Sequence, residues 1–353
     1  MQGVTSEVTS ENFAVLARRV RDAGLLNRRF AYYGVMIPLT IIAFGVGFAG
    51  LVLVGNSWSS LGIAVFLGLM FTQLGFVGHD AGHQEVFRSR RANRYLGLGV
   101  GNVLIGMSFG WWVPKHSAHH AHPNESGRDP DVGDVVVVVT PSANGQPAGG
   151  GPITRALARW QAPLFFPLMV LRSTGIHVLG VQRLVLQRNR AAGVELALLA
   201  LHSALYLTII FWVLSPLKAV VFIVVQQAVF SVYLGCSFAP NHKGMPMIDP
   251  DSQLSFARRQ VITSRNVAGG WFTNVLLGGL NFQIEHHLFP SMPRPNLSRA
   301  QGIVRAFCLD NDLSYREDSL TASYRQTIRF LQEAGTVEGL STTQSLSGSV
   351  PLT

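Results

Sequence analysis

Four long apolar stretches, at about 32–54, 58–78, 193–214 and 217–239, constrain this chain more than anything else in it. Each reaches the roughly 20 residues that cross the hydrocarbon core of a bilayer. A chain crossing that core must satisfy its own backbone hydrogen bonds, which leaves helices or a closed barrel. No strand-like alternation competes, so the stretches predict helices. The connections "GNS" and "SPL" are too short for anything but hairpins, so the four spans form two hairpins with both chain ends on one side. Composition agrees: 48% of residues are apolar and only 13% charged, which excludes an ordinary soluble enzyme.

The basic residues choose the side. Five Arg precede the first span, twelve Lys or Arg lie between the second and third, and ten follow the fourth. Lys218 alone lies elsewhere, so 27 of 28 share one face, which the positive-inside rule makes cytoplasmic. The net charge of +9 therefore needs no nucleic acid as partner. Two cysteines, Cys236 and Cys308, and no CxxC exclude an iron–sulfur site or a disulfide framework. The polar start up to Phe30 predicts no cleavable signal peptide. The expected organisation is an N-terminal segment over 1–30 with a short helix at 11–29, a membrane domain over 31–310, and a C-terminal segment over 311–353. The Ser/Thr-rich tail from about 336 is expected to be disordered, and 141–152 a flexible loop.

Two more apolar stretches, 95–113 and 267–282, are rich in Gly and carry Asn. They are predicted to be interfacial or re-entrant, for a reason supplied by the histidines. "GVGFAG" (Gly45–Gly50) matches a dinucleotide fingerprint but lies inside a span, where small residues serve helix packing.

Of eleven histidines, His177 and His202 stand alone and read as hydrogen-bonded structural side chains. The other nine cluster. "HDAGH" gives His79 and His83, "HSAHHAH" gives His116, His119, His120 and His122, "PNHKG" gives His242, and "QIEHH" gives His286 and His287. Residues at i, i+3 and i+4 share one helix face. His79/His83, His116/His119/His120 and Gln283/His286/His287 all obey that spacing, so each group aims at one point. Imidazole suits iron, zinc or copper. On the predicted topology these groups all face the cytoplasm, provided that 95–113 and 267–282 dip in and return. Eight imidazoles, His79, His83, His116, His119, His120, His242, His286 and His287, suit two metal ions at about four to six ligands each. Gln283, Asn241, Asp80 and Glu285 are candidate further ligands or groups that orient them, and Asp129 and Asp131 candidates for orientation or loop anchoring. The chain is thus predicted to be an all-α integral membrane protein: four transmembrane helices in two hairpins, with a cytoplasmic helical cap carrying a histidine-rich dimetal site.

The three boxes "HDAGH", "HSAHH" and "QIEHH", the run "HHAHPNESGRDPD", the "LFPSMP" after the third box and the "NHKG" with His242 closely resemble the membrane fatty-acid desaturases, over about residues 30–310. Gln283 in the third box is similar to front-end and sphingolipid desaturases and to bacterial linoleoyl-CoA desaturase-like enzymes, and a bacterial plasma membrane is the expected location. The resemblance implies a non-haem di-iron centre, with zinc able to replace iron in purified protein. It also implies dioxygen as co-substrate and an acyl chain bound to CoA, lipid or carrier protein. The sequence holds no "HPGG" haem-domain signature, so a separate ferredoxin-type or flavin reductase donor is expected, docking near Arg88, Arg90, Arg91 and Arg94. A related di-iron hydroxylase or ketolase is the alternative. A metal transporter is disfavoured because the polar side chains read within the spans are only His202 and a few Gln.

The topology is directly testable. Ser89→Cys and Ser126→Cys should react with an impermeant thiol reagent only when the cytoplasmic face is open, and Asn56→Cys from outside. Labelling of Ser126→Cys from the outer face contradicts the topology.

Overall fold

The computed structural model of the chain describes residues 10–133 and 152–334. The predicted tail from about 336 falls outside those residues, as does the predicted loop over 141–152, save Pro152, which opens a helix. Helix α1 (Ser10–Asp22) precedes a long pair, α2 (Phe30–Val54) and α3 (Ser60–Gly82). Then come α4 (Arg90–Gly97), which runs on as a π-helical segment over Leu98–Leu104, α5 (Phe109–Ala121) and the single turn α6 (Pro130–Gly133). Helices α7 (Pro152–Met169) and α8 (Arg172–Gln187) lead to a second long pair, α9 (Arg190–Val213) and α10 (Pro216–His242). The rest is short: α11 (Phe256–Ile262), β1 (Asn266–Ala268), α12 (Trp271–Leu276), α13 (Gln283–Leu288), α14 (Arg294–Asp310), β2 (Glu317–Ser319) and α15 (Leu320–Ala334).

Four helices, α2, α3, α9 and α10, are long and apolar enough to cross a membrane, and they coincide with the predicted spans to within a few residues. The chain divides into two compact units. The hairpin unit comprises Arg28–Pro114 and Met169–Cys236. The short-helix unit comprises Met1–Asn27, Lys115–Leu168 and Ser237–Thr353.

In the hairpin unit, α2 and α3 meet through small residues. A Cβ on Gly47 would lie 2.5 Å from Leu67, and one on Gly50 would lie 3.4 Å from Ile63, whereas Gly45 faces open space. The glycine motif therefore serves close packing. Outward faces are apolar, with Leu53 and Trp212 largely exposed, as lipid contact requires. Two polar pairs lie inside: Tyr206 donates to Gln226 Oε1 at 2.9 Å, and Gln73 Nε2 to Tyr233 at 2.7 Å.

The stretch 95–113 bends sharply, as a re-entrant loop or a broken span does. The helix formed by Arg90–Leu104 breaks, and α5 leaves it at 115°. Gly106 sits in the break at φ +73°, where a Cβ would lie 2.6 Å from the His202 ring, so both conformation and space require glycine. Backbone groups freed by such a break need partners in an apolar setting. His202 Nδ1–H donates to Val103 O at 2.9 Å and His177 Nδ1–H to Gly106 O at 2.7 Å. Both lone histidines are thus structural, as their isolation implied.

Glu195 completes the turn. Its Oε2 accepts from Ser108 Oγ at 2.9 Å, Gly110 N at 2.9 Å and Asn102 Nδ2 at 3.1 Å. The expectation that only His202 and a few Gln are polar within the spans is corrected here, because buried Glu195 lies in α9. Its three donors sit at least 85 residues away in sequence, so no local signal marks them.

Two other differences have local causes. The stretch 267–282 is neither span nor re-entrant helix. It begins in β1, parallel to β2 with Asn266 opposite Glu317, and continues through Gly269 and Gly270 into the short α12. Gly278 and Gly279, both at positive φ, end that helix. Trp271 and Phe272 are exposed, which keeps the interfacial alternative. Helices α7 and α8 were not anticipated, since Pro and Arg interrupt their apolar runs. The core of the short-helix unit joins Leu16 and Val20 of α1 to Val261, Ile284, Leu288, Leu297, Val304 and Phe307.

Glu195→Leu should orphan three donors and lower stability by about 3 kcal/mol or more, whereas His202→Ala should cost about 1 kcal/mol. Thermal unfolding of detergent-solubilised protein reads both. Equal unfolding of Glu195→Leu and the parent protein would refute the anchoring role.

Candidate metal centre

Three elements of the short-helix unit bring imidazoles together. The last two turns of α5 carry His116, His119 and His120 on one face. The end of α10 carries His242. Helix α13 carries His286 and His287, and all six of its residues are buried. One set is His119, His242 and His287, whose candidate ligand atoms all lie within 4.8 Å of one another. In a second set, His120 Nε2 lies 3.2 Å from His116 Nε2 and 3.1 Å from His286 Nε2.

Hydrogen bonds decide which nitrogen each ring of the first set presents. His119 Nδ1 lies 3.0 Å from both oxygens of Asp129. His242 Nδ1 lies 2.9 Å from Thr263 O, and His287 Nδ1 lies 2.8 Å from Gln260 Oε1. Carboxylate, carbonyl and amide oxygens only accept, so each Nδ1 carries a proton, and Nε2 is the nitrogen left to bind a metal. His119 Nε2 and His242 Nε2 are then 3.3 Å apart. At that distance the two nitrogens can share a proton or a metal ion. The donor set therefore fits a divalent transition metal.

Asn241 and Gln283 lie beside this set, both fully buried. Asn241 Nδ2 donates to Leu280 O at 3.0 Å, which fixes the amide, and also to Gln283 Oε1 at 3.0 Å. Gln283 thus turns its NH2 toward His242 Nε2, at 2.9 Å. Asp129 also accepts from the backbone N–H of Asn124 and of Asp131, each at 2.8 Å. Asp131 pairs with Lys115. Glu285 does not face an imidazole within hydrogen-bonding range. Its carboxyl accepts from Asn266 Nδ2 at 2.7 Å and Tyr315 Oη at 2.8 Å. Burial pushes that carboxyl above the usual carboxylate range, and the two hydrogen bonds offset this only in part.

The hairpin unit holds the first box at the end of α3. The His79 and His83 rings are 4.6 Å apart, and Asp80 Oδ1 lies 3.6 Å from His79 Nδ1. Glu85 joins His79 and Asp80 as a third group with a ligand atom in mutual reach, and it accepts from Tyr33 Oη at 3.0 Å. His122, the ninth clustered histidine, pairs with Glu125 at 2.8 Å instead.

Several supporting residues were not anticipated. Gln260, Thr263, Arg265 and Asn266 form one strip. Arg265 N donates to Asn241 O at 2.9 Å. Its wholly buried guanidinium donates to Pro240 O and Lys243 O, each at 2.9 Å, and to Gln326 Oε1 at 2.6 Å. Burial lowers its pKa to about 10, so it stays charged at neutral pH. Asn266 Oδ1 accepts from Ile284 N at 2.9 Å and so holds the start of α13. Little in the sequence marks this strip, because a backbone carbonyl such as Thr263 O has no residue signature.

The histidine clusters and the apolar helix pairs define a membrane protein with imidazole groups able to hold a transition metal. The sequence model described as fatty acid desaturase matches residues 56–319, and the chain belongs to the fatty acid desaturase family. Its relatives include the acyl-lipid (9-3)-desaturase of Physcomitrium patens, 29% identical over 318 residues, which cover 85% of this chain and 58% of that protein. The Delta(8)-fatty-acid desaturase of Helianthus annuus is 26% identical, covering 92% of this chain and 73% of its own length. The Delta(5) fatty acid desaturase fat-4 of Caenorhabditis elegans is 31% identical, covering 88% and 70%. These relatives are eukaryotic, and the chain spans about three-fifths to three-quarters of their lengths.

Asp129→Ala should weaken binding of the ion at the His119 set by about 10–100-fold, the usual effect of losing a group that orients a ligand. Asp129→Asn, which keeps an acceptor, should weaken it less. Zn2+ titration against a competing chelator measures both, and unchanged affinity in Asp129→Ala would refute the orienting role.

Proposed function

We propose that the chain is an O2-dependent fatty-acyl desaturase that inserts a cis double bond into an acyl chain at a non-haem di-iron centre. The observation that carries this reading is the lock on His119, His242 and His287: three oxygen acceptors hold three Nδ1 protons, so three Nε2 lone pairs converge. His119, His242 and His287 would hold one ion. His116, His120 and His286 would hold the other. His79 and His83 join the ligand set on the strength of their HxxxH spacing. Gln283 and Asn241 act as polar neighbours of His242, and Asp80 as a neighbour of His79. Glu285 acts through Asn266 and Tyr315.

Bound iron with dioxygen supplies an oxidant strong enough for unactivated C–H bonds, which no side chain provides. Removal of two hydrogens from adjacent methylenes, with two external electrons and two protons, reduces O2 to two waters. The protein orients the imidazoles, excludes water and aligns one C–C pair of the chain. The acyl carrier would be CoA, a lipid or a carrier protein. The electrons would come from a ferredoxin-type or flavin reductase meeting the basic face. The charge asymmetry supports a cytoplasmic location for the boxes and both termini.

Lipid analysis after expression, with double bonds mapped by mass spectrometry, tests the reading. A new alkene is expected, and an alcohol as sole product would instead identify a hydroxylase. Iron-reconstituted protein should hold about two iron ions per chain. His119→Ala and His286→Ala should abolish product while membrane insertion persists. Full activity with one iron ion or none would overturn the di-iron centre.

A further inference from the structure

One buried amide joins two of the histidine-bearing elements. Gln260 lies in α11, is fully buried, and is not itself a metal-binding side chain. Its Nε2 lies 2.9 Å from His120 O, and its Oε1 lies 2.8 Å from His287 Nδ1. The orientation of a glutamine amide is ordinarily ambiguous. Here it is not, because a backbone carbonyl can only accept. The NH2 must therefore face His120 O, and the oxygen must face His287. That oxygen in turn requires a proton on His287 Nδ1 and leaves Nε2 as the nitrogen that can bind a metal. A single side chain so sets the tautomer of a third-box histidine and fastens it to the backbone of the second box.

The neighbouring imidazoles make this coupling consequential. His287 stacks on His120 with ring centroids 4.2 Å apart, and its ring lies 4.7 Å from that of His242 and 5.1 Å from that of His119. His120 belongs to one imidazole set and His287 to the other. A rotation of either ring would move ligands of both.

We propose that Gln260 is a positioning residue of the metal centre: it holds His287 as the Nδ1–H tautomer and yokes the second histidine box to the third, so that both ions are bound in register. This rests on the metal reading above. Gln260 touches neither the reacting atoms nor the ions. It acts through His287 and His120.

Co2+ alone is the probe, added to metal-free protein in detergent and followed by its ligand-field absorption. The parent protein should bind two Co2+ per chain. Gln260→Met, similar in shape without hydrogen-bonding groups, should bind at least one ion about 10–100-fold more weakly. Gln260→Glu keeps an acceptor for His287 Nδ1–H but sets an oxygen against His120 O. It should recover most of the affinity lost in Gln260→Met and shift the Co2+ bands, because a carboxylate makes the imidazole a stronger donor. A merely structural role would lower the unfolding temperature of the metal-free variants and leave the Co2+ spectrum alone, and that result overturns the proposal. Parent-like affinity and spectrum in Gln260→Met overturn it as well. Should Gln260→Met fail to fold, a parent-like spectrum and affinity in Gln260→Glu overturn it. A parent protein that takes up no Co2+ instead overturns the metal reading itself, which separates the two failures.

Discussion

An imidazole has two nitrogens, and it can hold a proton on one only by surrendering that one as a ligand. The centre of this protein depends on that exclusion. Asp129, Thr263 O and Gln260 each accept the Nδ1 proton of one ring, and Nε2 is what remains to face inward. The acceptors differ in kind: a carboxylate, a backbone carbonyl and a side-chain amide. Each holds its ring at a different cost in charge, so the three imidazoles need not be equally basic although they share one tautomer. A metal meeting them finds lone pairs already aligned, and little conformational entropy is left to lose.

The hairpin unit solves a different problem with similar means. A chain that enters an apolar region and turns back exposes carbonyls and N–H groups that lipid cannot satisfy. Here His177 and His202 meet the carbonyls of Gly106 and Val103, and Glu195 meets three donors around the start of α5. These three ionisable side chains thus repair a bend. In a transporter such groups would line a path for an ion. The distinction lies in their partners, which are backbone groups and neighbouring amides.

The legible parts of the fold were those whose cause is local. A run of apolar residues announces a span wherever it occurs, and α2, α3, α9 and α10 lie where the runs are. Histidines at i, i+3 and i+4 announce a shared face without knowledge of what the face meets. The sharp bend at 95–113 was legible only indirectly, through the requirement that the boxes share a side. What stayed hidden has partners far along the chain. Gln260 contacts a residue 140 positions away, and Glu195 one 85 away. Gln260 has no distinguishing neighbours, and Glu195, a lone acid in an apolar run, announces a role but not its partners. Helices α7 and α8 were missed for the opposite reason: their prolines and arginines dilute a local signal that is present.

Arg265 adds a consequence in time. Its guanidinium closes the end of α10 at Pro240 and Lys243 and also grips Gln326 in α15. The histidine that α10 presents is therefore held from behind by a group whose own anchor lies 61 residues further along the chain. A ribosome has released all eight box and loop imidazoles to the growing chain by residue 287, yet the clamp on His242 is complete only once residue 326 has emerged. A chain that stalls before α15 therefore carries every box histidine but not the contact that steadies the end of α10.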